Sequence, residues 1–172
     1  MLVAKEHKRL LLNLREPEQV VALIPGATMR EIRGKNIVSV PHNLDTVRVL
    51  RNLGLAAPSP IRSYYVWPGL HAPFIHQYET SEFLTLNPRA FCLNGMGSGK
   101  TLATLWAYDY LRSLALAKRM LVVSPLSTLE RTWGDEIFKH FPHLNFAVLH
   151  GTPQRRMQRL QDDVDIYIIN HD

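Results

Sequence analysis

Residues 94–101, Asn-Gly-Met-Gly-Ser-Gly-Lys-Thr, join the apolar run Ala90–Leu93 to a helical pattern. That context points to phosphate binding. Glycines at 95, 97 and 99 let backbone N–H groups turn inward around phosphate oxygens, where a Cβ would obstruct. In such a loop Lys100 reaches the β and γ phosphates of a nucleotide, and the Thr101 hydroxyl ligates Mg2+. A helix starting here aims its positive end at the same anion. The expected nucleotide contacts are therefore Gly95, Met96, Gly97, Ser98, Gly99, Lys100 and Thr101. Lys100 and Thr101 are the expected catalytic pair, and Thr101 the metal contact. Asn94 departs from the strict pattern, which has glycine there. The plain alternative is a glycine-rich turn that happens to precede Lys-Thr.

A loop of this kind needs a scaffold of alternating strands and helices. Ala90–Leu93, Met120–Ser124, Phe146–Leu149 and Val164–Ile169 are short apolar runs, as strands buried on both faces require. Between the first two, Ala103, Trp106, Ala107, Tyr110, Leu111 and Leu114 fall on one face of a helix over 101–117. Ser127-Thr-Leu-Glu130 reads as a capping box opening a helix that stops before Phe141-Pro142. Pro153 suits the first turn of another, running to about Leu160. This repetition predicts an α/β fold with a parallel sheet, ligands binding beyond the carboxyl ends of the strands.

The N-terminal portion, 1–57, reads as a small α+β module. A strand is expected over 10–14, a short helix over 17–24, and strands over 28–32 and 36–40 around the turn Arg33-Gly34-Lys35. Asn43 is placed to cap a helix over 44–53, with Gly54 as its stop. Residues 58–73 read as a linker, and the proline- and aromatic-rich stretch 61–73 shows no periodicity. The phosphate-loop domain is expected over 74–172.

The chain has 172 residues, 46% hydrophobic and 20% charged, enough to bury a core. A single cysteine, Cys92, excludes an internal disulfide and suits a reducing compartment. Met1–Leu14 is broken by Lys5, Glu6, Lys8 and Arg9, and no run reaches membrane-spanning length, so a cytoplasmic protein is expected. The net charge of +5 lies wholly in residues 1–62, which hold ten Lys/Arg against five Asp/Glu, whereas 63–172 hold ten of each. That imbalance suits a polyanionic partner, and equally an ordinary solvated surface.

The surroundings of the loop narrow the class. His76-Gln77 lies about twenty residues upstream, Met-Gly-Ser-Gly-Lys-Thr spans 96–101, and Leu-Val-Val-Ser-Pro-Leu-Ser spans 121–127 with Trp133 and Glu136 behind it. Val-Leu-His-Gly-Thr follows at 148–152 and Asp-Ile-Tyr-Ile-Ile-Asn-His-Asp at 165–172. This ordered set resembles the N-terminal part of SWI/SNF-type superfamily-two DNA helicases and translocases, with a phage-like economy. Residues 1–57 more faintly resemble the DNA-binding modules that precede the motor in UvsW-type and HARP-type annealing helicases. The resemblance implies a truncated RecA-like motor lobe that uses ATP and Mg2+ and acts on DNA, with RNA left open.

It also implies roles. Gln77 would read adenine, since its side-chain amide can both accept from the N6 amine and donate to N7. Ser124, Pro125, Gly151 and Thr152 would hold nucleic-acid phosphates without reading sequence. In the basic module, Arg33, Lys35, Arg48 and Arg51 are the candidate DNA contacts, against an intrahelical Asp45–Arg48 pair. Arg155, Arg156 and Arg159 suit phosphates or a solvated face alike. His140, His143 and His150 have loose metal-like spacing without a supporting cysteine or carboxylate. Tyr64, Tyr65 and Trp67 suit either stacking on bases or packing on the motor core.

Hydrolysis further requires an acidic pair at a strand end. Asp172 is the only late candidate; Asp162, Asp163 and Asp165 precede their strand. The expectation is a fragment or a split-gene product whose acidic box and second lobe lie elsewhere, not hydrolytic by itself. The rival reading is a non-catalytic DNA-binding or regulatory protein with a vestigial nucleotide fold.

Overall fold

The computed structural model describes residues 1–171. It divides into two compact units, Met1–Tyr65 and the rest from Val66.

The first unit is an antiparallel sheet of β1 (Leu2–Ala4), β2 (Arg9–Asn13), β3 (Thr28–Ile32) and β4 (Lys35–Pro41), in the order β1-β2-β4-β3. Alternation sorts its faces. Leu10 and Leu12 of β2 pair with Val40 and Val38 of β4, and all four are buried. Val20 and Ile24 from α1 (Pro17–Leu23) and its end, and Val47 and Leu50 from α2 (Leu44–Asn52), complete the buried apolar set. The Asn43 side chain caps α2 by accepting from Thr46 N–H, as the sequence predicts. Arg33 and Gly34 both have positive φ, 52° and 72°, which closes β3 onto β4 in a two-residue hairpin loop.

Residues 58–73, read from sequence as one linker, are divided between the units. A short helix, α3 (Pro60–Tyr64), occupies part of the stretch expected to be irregular. Pro60 at its first position favours a helical start, and Ile61 is fully buried. Buried His42 ties this segment down. Its Nε2–H donates to Pro58 O at 2.9 Å, so Nδ1 is the acceptor for the Tyr64 hydroxyl at 2.8 Å.

The second unit contains α4 (Ile75–Leu86) and α5 (Lys100–Ser113), packed together, and a parallel sheet of β5 (Met120–Val123), β6 (Phe146–Leu149) and β7 (Ile166–Ile169) in the order β5-β7-β6. The buried Ser81 hydroxyl reaches both Gln77 O and Ala103 O at 2.9 Å, locking α4 to α5. Trp106 is fully buried and donates to Pro68 O at 2.8 Å, its ring meeting Trp67 and Phe141 edge-on. Ala103, Trp106, Ala107 and Tyr110 form the expected buried face of α5, joined by Leu105, Tyr108 and Asp109. Leu114 lies past the helix end and is exposed, because the helix stops at Ser113.

Strand β5 is not buried on both faces as expected, since Leu121 and Val123 are exposed on this edge strand, and two further expectations fail here. Ala90–Leu93 is extended but belongs to neither sheet; Phe91 and Leu93 are 89% and 91% exposed, while Cys92 and Asn94 turn inward. An apolar run becomes a strand only where neighbours take up its hydrogen bonds, and Asn94 instead donates to Thr80 of α4. The Ser127–Glu130 capping box does not form either. A 3-10 turn (Leu126–Thr128) and a π-helical turn (Leu129–Gly134) precede α6 (Asp135–His140). Thr128 takes over the turn, donating to Pro125 O and meeting the Ser124 hydroxyl. Thr152 does cap α7 (Pro153–Arg159).

Candidate functional site

The phosphate loop lies between α4 and α5. Gly97 and Gly99 have φ of +73° and +71°, the left-handed region that glycine alone enters without strain. Gly99 is also the N-cap of α5, so the first N–H groups of a 14-residue helix open toward the loop. A Cβ on Gly99 would lie 2.1 Å from Gln77 Nε2, so the Gln77 amide lies hard against the loop. Glycines 95 and 97 have open space around them, and Met96 is fully exposed.

Lys100 curls back over the loop, its ammonium donating to Asn94 O at 2.9 Å and Gly95 O at 2.8 Å. Those carbonyls are weak substitutes for phosphate oxygens, so the lysine is held where an anion would take it up. Ser98 Oγ is buried without a hydrogen-bond partner among the described residues, an orphan that a ligand can satisfy. The Ser98 carbonyl accepts from His76 Nε2 at 3.0 Å. Thr101 sits half-buried in the first turn of α5, its hydroxyl suited to a metal carried by phosphates. These features fit a Mg2+-nucleotide.

A cleft of about 450 Å³ opens beside the loop, lined by Phe74, Gln77, Gly97–Thr101, Thr132, Glu136 and His140 among others. Gln77 is only 7% exposed, and its Oε1 accepts from Phe74 N–H at 2.9 Å. Sequence reasoning placed Gln77 here but gave no cleft role to Thr132, Glu136 or His140. Their spacing of four is a usable signal once 129–140 is known to be helical. A larger cavity, about 560 Å³, is walled by Glu130, Asp135, Asp162 and Arg159. Its excess of carboxylates suits phosphate poorly.

The two candidate turns for nucleic acid share one edge. Val123, Ile169 and Leu149 are in register, so Ser124-Pro125 and the turn at Gly151-Thr152 both follow carboxyl ends of the same parallel sheet. The Ser124 N–H already donates to Ile169 O at 2.9 Å, and the Thr152 hydroxyl accepts from Arg155 N–H. Arg159 donates to Val148 O at 2.7 Å, which makes it partly a brace for β6. In the first unit Arg33 and Lys35 sit exposed on the hairpin. Arg48 pairs with Asp45 at 2.8 Å, and Arg51 donates to Ala57 O at 3.0 Å. The structure thus brings the candidate nucleotide residues together, and it engages Arg48 and Arg51 within their own module.

The remaining candidates resolve into packing. His140 Nδ1 accepts from Leu70 N–H and His143 Nε2 meets Asp109 at 2.8 Å; no metal-binding cluster occurs among the described residues. Trp67 packs on Tyr78 and Trp106, and Tyr64 on His42. Asp172 lies outside the described residues. Among the described residues no helix is long and apolar enough to cross a membrane.

A helix-capped phosphate loop on an α/β unit with a parallel sheet defines a P-loop nucleotide-binding fold. Residues 89–172 match the SNF2-related domain family. The ATP-dependent DNA helicase DDM1 of Arabidopsis thaliana is 38% identical over 61 residues, which cover 36% of this chain and 8% of that protein. Putative protein p41 of Acyrthosiphon pisum secondary endosymbiont phage 1 is 34% identical over 82 residues, 45% of this chain and 18% of that protein. The Sulfolobus solfataricus SWI2/SNF2 ATPase core, solved in complex with dsDNA, superposes with a TM-score of 0.52 at 28% identity. That match covers 60% of this chain and 22% of the other, and marks the fold as RecA-like. The chain spans 8% and 18% of the length of the two curated relatives.

Proposed function

We propose that this chain is the ATP-binding N-terminal part of an ATP-dependent DNA helicase or translocase, which in the complete protein couples ATP hydrolysis to movement on DNA or its remodelling. The observation that carries the reading is the loop itself. Two left-handed glycines, a helix N-terminus and a poised Lys100 converge beside buried Gln77. Gly95–Thr101 would cradle the phosphates, Lys100 would neutralise them, and Thr101 would hold the Mg2+. When bound, that metal supplies charge neutralisation at the transferring phosphoryl group. The DNA in the archaeal SWI2/SNF2 structure supports DNA as the partner. Ser124, Pro125, Gly151 and Thr152 would meet its phosphates, while Arg33 and Lys35, with Arg48 and Arg51 secondary, would give the N-terminal module its own contact. An acidic box and a second lobe, supplied in the same or a split chain, would complete the motor.

Calorimetry of the 172-residue chain with Mg2+-ATP tests the core of this. A charge-assisted hydrogen bond is worth about 1.5–3 kcal/mol, so Lys100→Ala should weaken binding roughly tenfold to a hundredfold. Equal affinity in wild type and variant refutes the proposal. Steady hydrolysis by the chain alone refutes the incomplete-motor part of it.

A further inference from the structure

We propose that the open face of the N-terminal sheet binds the backbone of duplex DNA, with Arg9 and Arg30 as its central contacts; this rests on the DNA reading above and names the form of DNA and the face that meets it. Strand alternation and register sort the side chains of this sheet. One face carries Leu10, Leu12, Val38 and Val40, all buried. The other carries Arg9, Asn13, Arg30, Lys35 and Ser39, each exposed or half-buried. The charges divide with the faces. Residues 1–62 hold five carboxylates, and none stands on the open face: Glu31 alternates to the opposite side of β3, while Glu6, Glu16, Glu18 and Asp45 lie outside the strands. A face with cations and no carboxylate complements a polyanion.

Arg9 is held ready for an anion. Its Nε–H donates to Ser39 Oγ at 2.6 Å, and its Nη2 donates to the carbonyls of Gly26 and Ser39, both at 2.8 Å. Those three bonds fix the guanidinium, and both Nη1 hydrogens are left without a partner among the described residues. A planar fork already held in place loses little freedom when it meets a phosphate. Arg30 is exposed, with no hydrogen bond or ion pair among the described residues. Both flanking strands pair with β4, where Arg9 lies opposite Pro41 and Arg30 opposite Ile37. Two strand spacings across and four residues along put the two arginines about 16 Å apart. That is on the scale of the major groove, about 12 Å wide, with the long side chains taking up the difference. Two cations so separated suit the two backbones that border a groove. Single strands are poorly served. Their binding platforms use aromatic rings, and residues 1–57 contain no Phe, Tyr or Trp. Without stacking, a single strand offers only phosphates, more sparsely charged than those of a duplex and with conformational freedom still to lose.

Fluorescence anisotropy of the 172-residue chain with a short labelled DNA duplex, and with one of its strands alone, tests this across a salt series. Arg30→Gln should flatten the fall of log affinity with log salt on the duplex by about 0.9, and Arg9→Gln combined with Arg30→Gln by about 1.8. Arg30→Lys should keep the wild-type slope. Lys139→Gln, which removes an exposed charge from the second unit, should leave the slope unchanged. Arg9→Gln forfeits the bonds to Ser39 and Gly26 and can loosen the sheet, whereas Arg30→Gln breaks none, so the single variant decides the matter. Wild type should hold the duplex about tenfold or more tighter than the single strand, a margin that the double variant narrows. An unchanged slope in Arg30→Gln, or an equal loss in Lys139→Gln, overturns the assignment to this face and leaves DNA binding standing. Equal affinity for the single strand, or the same margin in wild type and double variant, overturns the preference for duplex. Absence of salt-dependent binding by wild type overturns the DNA reading and this inference with it, while Mg2+-ATP binding by the same sample leaves the nucleotide site intact.

Discussion

Replacing Gly99 with alanine probes the joint between the phosphate loop and α4. Two costs are separable. At φ +71° an L-residue meets its own carbonyl, a strain of about 1–2 kcal/mol. The new Cβ would also lie 2.1 Å from Gln77 Nε2. Gln77 is a flexible side chain, yet it is buried and bonded to Phe74 N–H at 2.9 Å, so moving it forfeits that bond. A net hydrogen bond is worth about 0.5–1.5 kcal/mol, giving a total of about 1.5–3.5 kcal/mol. In a Gln77→Ala background only the backbone strain of about 1–2 kcal/mol should remain. The three tryptophans, Trp67, Trp106 and Trp133, all lie in the second unit. Urea unfolding followed by tryptophan fluorescence therefore reports this unit alone, and a midpoint shift at constant slope gives the change. A double-mutant cycle isolates the coupling. If Gly99→Ala is neutral, or costs as much without the Gln77 side chain as with it, Gln77 does not brace the loop.

Three further outcomes are expected. Burial lowers the pKa of His42, only partly offset by its bond to the Pro58 carbonyl, so the native state prefers the neutral ring. The unfolded chain then takes up the proton first as pH falls below about 6.5. The first unit should thus be most stable above that pH and weaken below it, levelling off under the native value. Amide exchange at Leu10 and Val40 measures this, and a profile without that decline refutes it. Asn43→Ala removes the side-chain cap of α2 and should destabilise the first unit by about 1 kcal/mol, read by the same exchange; no change would mean the bond to Thr46 N–H contributes nothing. Reversing Arg33 and Lys35 to glutamate should weaken binding to all DNA sequences alike and flatten the salt dependence by about 0.9 for each phosphate no longer neutralised. An unchanged slope would make the hairpin a structural element only.

Residue types and spacing suffice where the physics is local. Three glycines before Lys100-Thr101 predict a loop of the phosphate-binding kind, because backbone approach and helix polarity depend only on near neighbours. Asn43, Pro153 and the Arg33-Gly34 turn likewise act within a few residues, and the structure forms each as expected. The apolar runs at 120–124, 146–149 and 164–169 announce strands, and a parallel sheet contains Met120–Val123, Phe146–Leu149 and Ile166–Ile169, although Leu121 and Val123 of edge strand β5 are exposed where the sequence predicts burial on both faces.

Tertiary structure decided what depends on partners distant in the chain. Ala90–Leu93 has the composition of a strand, yet pairing is a property of neighbours and the run belongs to neither sheet. Ser127 and Glu130 have the spacing of a cap, but the Ser124–Thr128 contact claims that turn and a π-helical turn follows. Arg48 and Arg51 look like a basic face in sequence; Asp45 and the Ala57 carbonyl engage them. Gln77 and Glu136, 59 positions apart in the chain, become walls of one cleft only when α4, α5 and α6 pack. Local propensity names the loop, whereas the side chains that surround its ligand are chosen by packing between helices, which no short stretch of sequence encodes.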